Sequence, residues 1–128
     1  MSALADYAEN LVLDWLMTNG SATRPTSWYV ALYTAAPNDA GGGTEVTGAG
    51  YARQSVTFGA ASGGAASNNS VATFTASGGD FGTISHIGIH DAVSGGNLIW
   101  HGSLAAARTV VDGDSISFAS GAIDLTID

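Results

Sequence analysis

The sequence predicts a mainly β domain: an antiparallel β-sandwich or jelly-roll-like barrel of about eight short strands, with one N-terminal amphipathic helix. Three observations carry this reading. Short runs of alternating or apolar residues recur along the chain, each closed by Gly, Asn, Asp or Pro. Only one stretch has helical spacing. The chain has 128 residues, enough for one two-layer core, so residues 1–128 form a single domain with the helix at 2–19 and the sandwich at 27–128.

In residues 2–19 the stripe Leu4, Ala8, Leu11 and Trp15, with Tyr7, Val12 and Leu16 one ridge over, recurs at helical spacing, and Asp6, Glu9, Asn10 and Asp14 take the other face. Ser2 is the expected N-cap and Asn19-Gly20 the stop. The stripe either packs on the domain's own sheet or forms an arm to a neighbouring subunit. From Ser27 to Thr34, Trp28, Val30 and Leu32 alternate with Tyr29, Ala31 and Tyr33, a strand bulky on both faces. Such a strand is either an ordinary central one sandwiched between layers or has its Tyr29 and Tyr33 face at an interface, where a tyrosine hydroxyl stays hydrated.

Residues 35–50, with Pro37 and a triple Gly, read as a long surface loop, and 59–70 as a second flexible tract. Between them Tyr51 to Phe58 reads as a strand, and Val71 to Ala76 follows with Ala72 and Phe74 on one face. The centre of the chain is Thr83 to Leu104: two apolar runs flank Asp91–Asn97, whose Gly, Asn, Asp and Ser supply hairpin chemistry. Ile87 and Ile89 share one face of the first run, Leu98, Trp100 and Leu104 one face of the second, and Gly88 and Gly102 leave room for close approach of backbone or a large ring. Asp112-Gly113-Asp114 signals a tight turn. Residues 123–128 alternate as a half-buried strand.

Composition narrows the function. Eleven Asp and Glu stand against three Lys and Arg, a net charge of -8 with no lysine. Arg24, Arg53 and Arg108 are too few and too scattered to neutralise phosphates, which argues against nucleic acid and against an anionic membrane surface as partners. The N-terminal apolar residues are broken by Asp6, Glu9 and Asp14, reading neither as a signal peptide nor as a membrane span, so synthesis in a cytoplasm is expected. Without cysteine there is no disulfide frame and no thiolate chemistry.

The residues also speak against an enzyme. His86, His90, Asp91 and His101 are the best metal candidates. On a straight strand, however, His86 and His90 lie roughly 13 Å apart, too far for both to ligate one ion. The sequence has no G-x-S-x-G elbow and no phosphate-cradling glycine motif. Its only glutamates, Glu9 and Glu45, do not make a glycosidase pair. No catalytic residue, cofactor or metal is expected.

Five stretches carry a resemblance: ALADYAEN, WYVALYTAAPNDAG, TEVTGAGYARQSVTF, ISHIGIHDAVSGGNLIWHG and VVDGDSISFASGAIDLTID. In this order they resemble a family of small tailed-bacteriophage virion proteins commonly labelled tail fibre protein. The resemblance implies a structural component of the virion and carries over no catalytic residue. A fibre itself is long and repetitive, whereas this chain has neither heptads nor repeated units. Its proportions suit a head cement or decoration protein that clamps the major capsid protein, with a tail or fibre-base subunit as the alternative and a glycan-binding adhesin, stacking sugars on Trp28 or Trp100, as a third reading. A homo-oligomer, with a trimer favoured, is expected to bind capsid or tail proteins on the virion. The candidate contact residues are Tyr7, Leu11 and Trp15 on the helix, Tyr29 and Tyr33 on the strand after it, and Tyr51 and Arg53 of the GYARQ motif.

Overall fold

The computed structural model of the chain describes residues 2–127. Ten strands and one helix follow in the order β1 (Ser2–Leu4), α1 (Asp6–Leu16), β2 (Trp28–Ala35), β3 (Thr44–Glu45), β4 (Gln54–Val56), β5 (Ala65–Ser67), β6 (Ala72–Thr75), β7 (Gly82–His90), β8 (Leu98–Val110), β9 (Ser115–Phe118) and β10 (Asp124–Thr126). A six-stranded antiparallel sheet runs β1-β8-β7-β2-β3, with β4 also on β2. Two ribbons, β10-β5 and β6-β9, form the second layer. The large sheet stays open, with β1 at one edge and β3 at the other, so the sandwich describes the fold.

The core lies between the layers. Val30, Leu32, Ile84 and Ile89 reach it from the large sheet, and Phe74, Ile116 and Phe118 from the β6-β9 ribbon. Phe74 meets Phe118 edge to face, with ring centroids 6.3 Å apart. The expected face of Ala72 and Phe74 is buried, while Thr73 and Thr75 stay exposed and bond Ser117 and Ser115 across the ribbon.

The central hairpin is present as β7 and β8, with Ile89 opposite Trp100 and Ile87 opposite Gly102. Leu98 departs from expectation. The register shifts between Ile89 and His90, and Leu98 turns to the other face, against Tyr33. A second shift is larger: Ile84 pairs Arg108 and His86 pairs Ser103, so Ser85 alone stands against Leu104–Ala107. Beyond Gly102, β8 has only β7 as a ladder partner among the described residues.

The helix is shorter than its periodicity predicts. Ser2, the expected cap, instead pairs with Gly102 in β1, and Leu4 pairs with Trp100. The helix opens at Asp6 after an extended Ala5 with no side-chain cap, and ends at Met17, before Asn19-Gly20. Tertiary bonds replace the cap: the Asp39 carbonyl accepts the Asp6 N–H, and the Ile99 carbonyl accepts that of Ala5.

Both expected loops are more ordered than glycine content suggests. Residues 35–50 hold β3 and an Asn38–Gly41 bridge; residues 59–70 hold β5 and two bridges, Phe58–Asn68 and Ser62–Ala65. The strand predicted over 51–58 contracts to β4. The Asp112-Gly113-Asp114 turn forms with Gly113 at φ 87°, but it links β8 of the large sheet to β9 of the second layer.

Candidate interaction site

Two places gather the residues singled out above. The first is a polar clamp at the edge of the large sheet. On β2, β4 pairs with Trp28–Val30 and β3 with Tyr33 and Ala35, which leaves a gap at Leu32. The Tyr51 hydroxyl fills it, accepting the Leu32 N–H at 3.0 Å and donating to Glu45 Oε2 at 2.6 Å. Its ring stays in the core, stacked on Phe74 and edge-on to Phe81.

Arg53 completes the clamp. Nε and Nη2 donate to the two oxygens of Glu45, both at 2.9 Å, and Nη1 donates to the carbonyls of Ala92 and Gly95 at 2.9 and 2.8 Å. One guanidinium thus ties β3 to the β7–β8 loop. That loop is also closed from within, because Asp91 accepts both the backbone and side-chain N–H groups of Asn97.

Burial pushes the Glu45 carboxyl up, but the Arg53 and Tyr51 hydrogen bonds outweigh it and hold the pKa below the ordinary value. Burial, and then the Glu45 charge, push the Tyr33 phenol up. On the same face His90 is 7% exposed, with Nε2 2.8 Å from the Tyr33 hydroxyl and Nδ1 without a partner among the described residues. Burial, and then the Arg53 charge, drives its pKa down to about 4, so His90 is neutral at pH 7. His86 bonds Ser85 and His101 bonds Asp39, so each histidine has a different partner. No metal-sized cluster of His, Asp and Glu occurs among the described residues.

The clamp corrects one expectation: Tyr33 is 4% exposed, so it does not present an outward face. Tyr51 and Arg53 are half-buried and committed to internal bonds. Tyr29, also half-buried, lies between His90 and Ser55 in the sheet register and takes no part in the clamp.

The second place is α1. Its inner stripe begins buried at Ala8, is half-buried at Leu11 and Val12, and emerges at Trp15, 73% exposed. Tyr7 and Leu11 line a small cleft with Trp28, Trp100 and Ile127. The last helical turn overhangs the sandwich, and a cavity of about 420 Å³ opens between Leu11, Val12, Trp15, Ala22 and Arg24. Leu13, Leu16 and Met17 are also exposed. Sequence reasoning missed Leu13 and Met17. The signal was present: six of the seven residues from Leu11 to Met17 are apolar, too wide an arc for one buried stripe.

An apolar cleft of about 430 Å³ lies where the layers splay between Trp100, Leu104, Phe118 and Leu125. Trp28 and Trp100 are half-buried, packing against the core while lining these clefts.

A family model described as Podophage GP4 fiber I protein gp80 matches residues 3–126. The chain belongs to this phage fibre protein family. The match spans both the clamp and the helix, and membership of the family indicates a phage structural protein. The capsid-surface location favoured by proportions finds no support in this family; the fibre alternative fits it better. The comparison with curated proteins gave no match.

Proposed function

We propose that the protein is a non-enzymatic subunit of the tail fibre apparatus, acting through contacts with other tail proteins as a compact module at the base or along the shaft. Membership of the fibre family carries this reading. The side chains support it. The titratable groups of the central motifs, Glu45, Tyr51, Arg53 and His90, are consumed in holding one loop and one sheet edge, which suits a rigid part. The contact surface is α1 with Tyr7, Leu11 and Trp15, and Tyr29 on β2 is a second contact residue. The trimer expected from the sequence is kept as a proposal that sedimentation of the purified protein tests.

The location is tested by immunogold labelling and quantitative mass spectrometry of purified particles. Label on the tail with a low copy number is expected. Label over the whole head, at a stoichiometry near that of the major capsid protein, would return the protein to a decoration role.

A further inference from the structure

The outward face of α1 has a graded pattern that specifies its partner. Asp6, Glu9, Leu13 and Leu16 recur at spacings of three, four and three, so they share one face, with Met17 beside Leu13. Asp6 and Glu9 are exposed at the start of this face, and Leu13, Leu16 and Met17 are 54%, 60% and 76% exposed at its end. Over the seven steps from Glu9 to Leu16, roughly 10 Å of axis, the face passes from acidic to apolar.

Acids in the first turn suit the helix dipole, but nothing within the fold explains three large apolar side chains left in water beside them. Helices that lay such a face into a groove use anchors at i, i+3 and i+4, the spacing of Leu13, Leu16 and Met17. A second copy of the chain is a poor host. Arg53 is committed to the clamp with its side chain 9% exposed, which leaves Arg24 and Arg108 as the exposed cations of a chain with net charge -8. Packed in parallel, two α1 faces would set carboxylates against carboxylates; packed antiparallel, they would set Asp6 and Glu9 against the apolar end of the partner helix, where Arg24 is a single cation for two carboxylates.

We infer that α1 docks into a groove on a different virion protein, one with an apolar floor for Leu13, Leu16 and Met17 and a Lys- or Arg-bearing rim facing Asp6 and Glu9. This rests on the fibre reading above.

The test complements a phage lacking this gene with plasmid-borne variants and measures the protein per particle by quantitative mass spectrometry. The wild-type chain is expected in particles, while L13E/L16E and the charge reversal D6K/E9K each fall at least about ten-fold in occupancy. Circular dichroism and thermal midpoints of the purified variants identify any loss caused by misfolding, and L13A/L16A, which adds no charge, should show an intermediate loss. Sedimentation of the purified protein should give the same oligomeric state for the wild type and L13E/L16E. Wild-type occupancy of either the apolar or the charge-reversal variant overturns the inference, as does a change of oligomeric state in L13E/L16E, which would make a second copy the occupant. Absence of the wild-type chain from particles would instead remove the fibre reading itself.

Discussion

Arg53 and Glu45 form a two-pronged pair, Nε to Oε2 and Nη2 to Oε1, both at 2.9 Å, with side chains 9% and 24% exposed. The geometry needs a planar guanidinium, and the third prong to Ala92 and Gly95 needs its remaining nitrogen. Arg53→Ala leaves a half-buried carboxylate and two carbonyls without their donor, and should cost about 2–4 kcal/mol in urea denaturation. Arg53→Lys should recover less than half of this. Hydrogen exchange should report faster opening of residues 91–97 in both variants.

His90 predicts acid lability. Its folded pKa of about 4 lies below the ordinary 6.5, so between these values the unfolded chain holds a proton that the folded one lacks. Stability is therefore full above pH 6.5 and falls as pH drops toward 4, by about 2–3 kcal/mol. Glu45 and Asp91, both lowered, add losses of the same sign below the ordinary carboxylate range. Denaturation midpoints between pH 4 and 7.5 should slope downward toward acid, and His90→Gln should flatten the part above pH 5.

Gly88 is the point of closest approach beneath the Tyr33 ring. A Cβ there would lie 2.9 Å from both Tyr33 Cε1 and Leu98 Cδ1, and the neighbouring His90 limits the room for either to move. Gly88→Ala should destabilise the fold by about 1–3 kcal/mol through overpacking, read as a lowered thermal midpoint.

Asn68 joins three segments. Its Nδ2 donates to the carbonyls of Ser70 and Ala119, its Oδ1 accepts the Ile123 N–H, and the residue is 2% exposed. Asn68→Ala removes all three bonds and should cost about 2–4 kcal/mol. Asn68→Asp, which loses only the donors, should be nearly as damaging at pH 7 and partly restored in acid, where a protonated oxygen can donate again. Equal stability of Asn68→Asp across pH would disprove this assignment.

The parts of the fold legible in the sequence are those governed by neighbours in the chain. The β7–β8 hairpin, the Ala72 and Phe74 face and the room at Gly88 follow from alternation and turn chemistry. Ser2–Leu4 was hidden because Leu4, Ala8 and Leu11 keep helical spacing, while the decisive bonds go to Trp100–Gly102, far along the chain. The clamp was hidden for the same reason. Tyr33 and Arg53 announce themselves as bulky or charged, but nothing local says that Glu45 and the carbonyls of Ala92 and Gly95 converge on one of them. Asn68 sat in a Gly/Ala/Ser tract whose order comes from β10 and residues 119–123.

The excursion in β8, where Leu104–Ala107 stand against Ser85 alone, bends an otherwise open margin of the large sheet. A straight alanine-rich margin would offer a ladder of free amides and carbonyls to any passing chain and invite self-templated fibrils. The kink breaks the regular spacing such growth requires, so the same irregularity that lengthens β8 opposes strand-by-strand growth along this margin.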